Sequence, residues 1–245
     1  MDIKDETIYL YGDEIGRCDF IQSWGNDIMA VNAARASFGV EKEELDEKDK
    51  KLINFLVKHK HTSVFEHGGI TFRCVVPLFV RSQHHRHRTW SYNEISRRYT
   101  NVDLQFYEPR SFRTQHKSNR QASNDGDLIN PMINSVECDV NGKRFGGYLP
   151  VDADQVVKRH HQMSLALYGE LIDAGVCREQ ARGVLPQNLY TTYYASASLS
   201  NIMKFIGLRD KPEAQWEIQL LARAMMRFVE REFPHTARAT KEDSA

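Results

Sequence analysis

The chain of 245 residues has little cysteine, no long apolar run and no net charge. Its four cysteines, at positions 18, 74, 138 and 177, form no C-x-x-C pair. That spacing argues against a zinc ribbon or a disulfide framework and suits a reducing compartment. The longest apolar run, residues 74–80, is interrupted by Pro77. It falls far short of the roughly 20 residues that a membrane-spanning helix needs. The opening residues Met1-Asp2-Ile3-Lys4-Asp5-Glu6 lack the basic and apolar regions of a signal peptide, so a soluble cytoplasmic protein with no membrane association is expected. Lys plus Arg balances Asp plus Glu at 33 each, leaving no overall basic field to draw in nucleic acid. Any anion site must therefore come from local clustering. The sequence also lacks a G-x-G-x-x-G fingerprint, a Walker loop and any internal repeat, which excludes a Rossmann unit.

What is present reads as an ordinary globular composition, 41% hydrophobic and 27% charged. The length suits one domain, taken here as residues 1–245, with a polar insertion at about 111–150. Residues 6–11 and 17–23 read as short strands ending near Gly12 and Gly25. Residues 27–36 have helical composition, and residues 41–51 read as a solvated charged loop leading into a helix. Leu52, Phe55 and Leu56 give that helix an apolar stripe. A strand is expected over 69–76, then a helix over 77–88 opened by Pro77. In the insertion, Asn141-Gly142 suggests a hairpin turn. Residues 154–174 read as a helix with Val156, Val157, Met163, Leu167, Leu171 and Ile172 on its apolar side and Gly175 as its stop. A strand over 189–195 and helices over 197–206 and 213–232, the second closed by Pro234, complete the pattern. This mixing predicts an α+β fold, a mainly antiparallel sheet flanked by helices with a helical subregion.

Residues 86–99 carry the most chemistry: Arg86, His87, Arg88, Glu94, Arg97 and Arg98 are interleaved with Trp90, Ser91, Tyr92, Asn93, Ser96 and Tyr99. Arginine forks match phosphate and carboxylate groups, and the aromatics and hydroxyls beside them suit a flat polar ring. A nucleotide-like anion is the natural guest. At about 100° per residue, Gln83, Arg86 and His87 would share a helix face and Arg88 would point elsewhere. Glu94, Arg97 and Arg98 would pair if their segment were helical. The histidines 59, 61, 67, 84, 85 and 87 suggest no metal site, since adjacent His84 and His85 diverge on a helix and lack carboxylate or thiolate support.

Arg86-His87-Arg88, with Ser96 after seven intervening residues, resembles the RHR-x7-S signature of flavin-dependent thymidylate synthases. His61-Thr62-Ser63-Val64-Phe65-Glu66-His67, Gln83, and Ala181-Arg182-Gly183-Val184-Leu185-Pro186 through Thr191 extend the likeness. So do Phe205-Ile206-Gly207-Leu208-Arg209 and Ala214-Gln215-Trp216-Glu217-Ile218-Gln219. It spans most of residues 20–110 and 153–233. The resemblance implies conversion of dUMP to dTMP, with methylenetetrahydrofolate as the one-carbon donor and FAD, reduced by NADPH, as the source of hydride. It implies that Gln83, Arg86, Glu94, Ser96, Arg97, Arg98 and Arg182 bind dUMP, Arg97 through its backbone only. By the same resemblance, His61, Ser63, Arg86, His87, Arg88 and Glu94 hold FAD, and Arg209 faces the uracil ring as the catalytic residue. It further implies a homotetramer with sites shared between subunits.

The residues alone allow plainer readings. Arg86 to Arg88 suit a solvated basic turn, Arg182 a snorkelling surface arginine, and Arg209 a cap complementing a helix dipole. One departure from the family pattern stands out: Ser198-Leu199-Ser200 replaces a frequent Asn-x-Arg, and Lys204 replaces Asn. Lys204 is expected to restore a positive charge near the flavin pyrophosphate. Two other classes fit part of the pattern. An RNA-binding module would use arginines among aromatics but calls for a basic domain, and a metal-dependent phosphohydrolase would need paired aspartates or an H-D motif.

Overall fold

A computed structural model describes residues 6–134 and 150–244. In chain order these form strands β1 (Thr7–Tyr9) and β2 (Arg17–Trp24), helices α1 (Asp27–Arg35) and α2 (Glu47–Lys58), strand β3 (Gly69–Pro77), helix α3 (Leu78–His84) and strand β4 (Ser91–Glu94). Strands β5 (Phe112–Gln115), β6 (Ser123–Ile129), β7 (Met132–Ile133) and β8 (Val151–Asp152) follow. Helices α4 (Ala153–Asp173) and α5 (Arg178–Ala181), strand β9 (Tyr190–Ser198), and helices α6 (Leu199–Arg209), α7 (Trp216–Glu232) and α8 (Pro234–Ser244) complete the chain. This is the expected α+β class. The described residues fall into two compact units, one made of residues up to Val76, Val80–Glu94 and those from Thr191 onward, the other of Pro77–Phe79 and Ile95–Tyr190.

The first unit is built on a five-stranded sheet in the order β1-β2-β3-β9-β4. Strand β2 pairs antiparallel with both β1 and β3, and β4 pairs antiparallel with β9. Strand β2 stops before Gly25, whose φ of +67° is one that L side chains rarely adopt; a Cβ there would sit 2.8 Å from Gly68 Cα. Helix α7 packs its apolar face on the sheet. Phe228 lies 5.8 Å from Phe20 and 6.1 Å from Phe72, ring to ring. Burying one such ring contributes about 1.5–3 kcal/mol.

The charged run 41–51 forms the expected, mostly exposed loop leading into α2, with Asp49 as its one buried residue. Asp46 caps α2 in a reciprocal capping box with Asp49. Asp49 itself is fully buried, 2.5 Å from Arg35 Nη2 and 2.6 Å from Lys42 Nζ. On the apolar stripe Ile53 and Leu56 are buried, whereas Phe55 is 50% exposed and stacks on His59 instead. Val31, Ile53 and Ala239 form the cluster that joins α1, α2 and α8.

Helix α8 was not expected from the sequence. Pro234 opens it rather than merely closing α7, because a fixed φ and missing N–H suit the first helical turn. The buried Asp27 carboxylate accepts from the His235 and Thr236 backbone N–H groups at 2.8 and 3.1 Å, and from the Thr236 hydroxyl at 2.6 Å. It thereby meets the orphan donors of the α8 N-terminus.

In the second unit, Tyr168, Ala181, Leu185 and Leu189 form a core with Leu78, Phe106 and Leu171 against it. Helix α4 buries Ala153, His161, Ser164 and Tyr168. Its expected apolar side is partly wrong: Met163 and Leu167 are 59% and 49% exposed. The polar insertion contains an antiparallel hairpin of β5 and β6, and β7 pairs with β8. The turn proposed at Asn141-Gly142 lies outside the described residues. No described helix is long and apolar enough to cross a membrane.

Candidate functional site

Strand β3 runs through Pro77 and α3 ends at His84, so the helix expected over 77–88 is shorter than its sequence pattern suggests. The chain leaves α3 in tight turns, Arg86 N–H donating to the Gln83 carbonyl at 3.3 Å and His87 N–H to the His84 carbonyl at 3.0 Å. The helical-face argument for Gln83, Arg86 and His87 therefore does not apply. The Tyr92 hydroxyl clamps this turn to β4 by donating to the carbonyls of His84 (2.8 Å) and His87 (3.2 Å).

Beneath the turn, His84 is completely buried between the rings of Phe205 (4.5 Å) and Trp90 (4.7 Å). Its Nδ1 lies 2.8 Å from the Tyr193 hydroxyl, and its Nε2 has no partner. Burial pushes the His84 pKa well below the usual imidazole range, helped by His87, His85 and Arg209. Burial likewise raises the pKa of the Tyr92 and Tyr193 hydroxyls, which stay neutral.

Arg209 is the last residue of α6, half-buried, and is turned onto the signature. Its Nε–H donates to His87 Nε2 at 3.2 Å and its Nη2–H to the Gln83 carbonyl at 3.4 Å. The Gln83 side chain in turn donates to Gln215 Oε1. Burial, then the Arg209 charge, lowers the His87 pKa. Desolvation lowers that of Arg209, though arginine remains protonated at any working pH. Three residues singled out from sequence, Gln83, His87 and Arg209, thus meet directly.

Arg86 and Arg88 are exposed, and their guanidinium groups pair with no described residue. Glu94 is not part of a helical pairing with Arg97 and Arg98. It ends strand β4, lies 3.2 Å from Arg81 Nε, and accepts from the Thr191 hydroxyl at 2.7 Å. His61 and Ser63 are exposed at the start of a short 3-10 turn, residues 62–66, with the His61 ring edge-on to Phe55. Lys204 is exposed on α6. Where the family pattern often has arginine, Ser200 is buried and its hydroxyl has no partner, while Ser198 donates to Glu66 at 2.5 Å.

The remaining candidates belong to the second unit. The Ser96 hydroxyl accepts from Arg98 N–H at 3.3 Å, and the Arg98 guanidinium pairs with Glu179 at 2.8 Å. Arg97 spends its guanidinium on the carbonyls of Val102, Asp103 and Tyr190. Arg182 is exposed in the 3-10 turn following α5.

Sequence reasoning passed over Tyr92, His84, Tyr193, Arg81 and Gln215 as parts of this machinery. The His84–Tyr193 and Gln83–Gln215 contacts run over more than a hundred residues, so no local spacing announces them, whereas Tyr92 reaches carbonyls only eight and five residues back. Among the described residues, no group of three or more His, Cys, Asp or Glu could hold a metal ion.

Comparison with known proteins bears on this arrangement. Residues 19–235 match the family described as thymidylate synthase complementing protein. A flavin-dependent thymidylate synthase of Thermus thermophilus is 39% identical over 214 residues, spanning 87% of this chain and 71% of that protein. Its counterpart from Thermotoga neapolitana is 37% identical over 226 residues, 91% of this chain and 90% of that one. Among solved structures, the UMP/dUMP methylase PolB of Streptomyces cacaoi, bound with 5-Br dUMP, superposes with a TM-score of 0.75 at 29% identity. That match covers 96% of this chain and 97% of the methylase.

Proposed function

The chain belongs to the family of flavin-dependent thymidylate synthases, and on that premise we propose that it converts dUMP to dTMP. The one-carbon unit comes from methylenetetrahydrofolate, and NADPH is the reductant. The observation that carries this reading is the cluster in which Arg209 meets His87 and Gln83 next to the unpaired Arg86 and Arg88.

The residues present fit a flavin dinucleotide. Arg86, Arg88 and Lys204 are exposed cations that no described carboxylate neutralises, and His61 and Ser63 add polar donors. Bound FAD supplies the redox chemistry. The chain's own residues bind, orient and stabilise charge. Arg86 and Arg88 answer negative charge, aided by Lys204, while Gln83 and Glu94 fix orientation and His61 and Ser63 line the cofactor. Ser96, the Arg97 backbone, Arg98 and Arg182 receive the nucleotide anion, for which Arg98 must leave Glu179. Arg209 holds a fixed positive charge against the negative charge that develops on C5 and O4 of uracil as hydride arrives at C6. No cysteine nucleophile is called for, and Cys18, buried with its thiol pushed up by burial, is unsuited to be one.

The working assembly is a cytoplasmic homotetramer whose sites are completed by neighbouring subunits. Arg86→Ala and Arg98→Ala proteins, each inactive alone, then regain partial activity when unfolded and reassembled together. Failure of that complementation, with mixed oligomers demonstrated, contradicts shared sites. The flavin reading itself is tested by the visible spectrum of the purified protein. A yellow protein with flavin absorbance is expected, whereas an RNA-binding module or a phosphohydrolase would be colourless.

A further inference from the structure

We propose that His87 is a positioning residue for Arg209: its neutral imidazole accepts the Arg209 Nε–H and, with the Gln83 carbonyl, orients the guanidinium for the pyrimidine. This rests on the reading of Arg209 as the residue that faces uracil, and it adds to the flavin contact that the family resemblance implies for His87.

The geometry fixes the chemistry. An imidazole nitrogen that accepts a hydrogen bond carries no proton, so His87 must be neutral, with its proton on Nδ1. Arginine offers two donor edges that face different directions, each with two parallel N–H bonds. The contacts at 3.2 and 3.4 Å use the edge formed by Nε–H and one Nη2–H. What remains is a single two-pronged edge, Nη1–H and the other Nη2–H, with its direction set by the first pair. The supports are themselves held. Tyr92 bonds the His87 carbonyl, and Gln83 is tied through its side chain to Gln215.

Protonation of His87 would undo this arrangement. Nε2–H would confront Nε–H, donor against donor, with two positive charges at that separation. The groups facing His87 give no relief. From α6 they are Arg209 and the edge of the Phe205 ring, 4.9 Å away; from α3, the neutral buried His84, 6.4 Å away. Arg86 and Arg88 flank it in sequence, and no described carboxylate pairs with it. Burial and the arginine charge both favour the neutral ring at neutral pH. Arg209 is therefore correctly aimed above the ionisation of His87 and released below it.

The test measures dUMP affinity of the FAD-loaded enzyme by calorimetry from pH 5 to 8, for the parent, His87→Gln and His87→Phe. Glutamine keeps an acceptor at the Nε2 position but does not ionise. Phenylalanine keeps the ring and loses the acceptor. The second ionisation of the dUMP phosphate, near 6, is common to all three proteins, so only differences between them count. The parent should lose affinity more steeply than His87→Gln as pH falls, while His87→Gln stays within about threefold of the parent at pH 7.5. His87→Phe should bind about tenfold more weakly at pH 7.5, the effect of one hydrogen bond involving a charged group. A second readout needs neither substrate nor turnover. Solvent exchange of the Arg209 Nε–H, assigned by its absence from Arg209→Lys, should be slow in the parent and His87→Gln and fast in His87→Phe. An acid limb in His87→Gln equal to that of the parent, or equal Nε–H exchange in all three proteins, overturns the inference. If Arg209→Ala binds dUMP and turns over normally, the reading of Arg209 itself fails. If Arg209→Ala is impaired while His87→Phe keeps full affinity, only the His87 role fails.

Discussion

Tyr92→Phe removes one hydroxyl from the clamp under the arginine turn and changes little else. The Tyr92 ring stacks against Trp90 and His85, and those contacts survive the substitution. What is lost is donation to the His84 carbonyl at 2.8 Å and, more weakly, to the His87 carbonyl at 3.2 Å. Breaking a hydrogen bond and stranding its partly buried acceptor costs about 1–2 kcal/mol. In a chain of this size, 1 kcal/mol lowers the melting temperature by roughly 2–4 °C, so a drop of about 2–8 °C is expected. The functional consequence should be larger than that drop suggests. Ordering even one residue of a freed turn costs about 1–2 kcal/mol, which flavin would have to offset on binding. Affinity for FAD should therefore fall about tenfold. Flavin fluorescence quenching measures the affinity, and a thermal melt measures the stability. A Tyr92→Phe protein that melts lower but binds FAD as tightly as the parent would reduce Tyr92 to a stability contact. One unchanged in both would refute the clamp.

Three further outcomes follow from the same structure. Arg209→Ala should fold, bind FAD and accept electrons from NADPH, yet lose dTMP formation by about a hundredfold or more, as happens when a preorganised donor is removed. Arg209→Lys should recover only part of the rate, since a point charge cannot replace a fork. Stability should fall as pH drops below about 6.5, because there the unfolded His84 ring takes up a proton that the native ring, its pKa pushed far down by burial, refuses. His84→Phe should flatten that slope when urea midpoints at pH 7.5 and 5.5 are compared, whatever its overall cost. Asp49→Asn leaves Arg35 and Lys42 without their shared buried carboxylate. It should cost about 3–5 kcal/mol in urea unfolding, and a loss below about 1 kcal/mol would contradict its structural role.

The sequence was readable where the pattern is local. Strands β1, β2 and β3 and helices α1, α4 and α7 lie close to their expected bounds, since hydrophobic spacing and turn residues specify them directly. It was misleading where a distant partner decides. Ser91 to Glu94 become a strand because β9 pairs with them, so the pairing of Glu94 with Arg97 and Arg98 that a helix would have allowed does not form. Pro234 resembled a terminator, but Asp27 caps the helix it opens from more than two hundred residues away. Asp49 looked like part of a solvated charge run until Arg35 and Lys42 enclosed it. Met163 and Leu167 show the converse, apolar residues at helical spacing that the described structure leaves exposed. In the site, the contact of Arg209 with His87 joins the end of α6 to a turn 122 residues earlier, a distance that no motif spacing encodes.

The central claim is that reducing equivalents reach the pyrimidine by way of flavin and not from the folate. Conservation of electrons makes the two routes distinguishable by their product. With NADPH, FAD, dUMP and methylenetetrahydrofolate supplied, the folate released should be tetrahydrofolate, in one-to-one amounts with dTMP, and omission of FAD from stripped protein should abolish both. Release of dihydrofolate with each dTMP, or dTMP formation by flavin-free protein, would contradict the account.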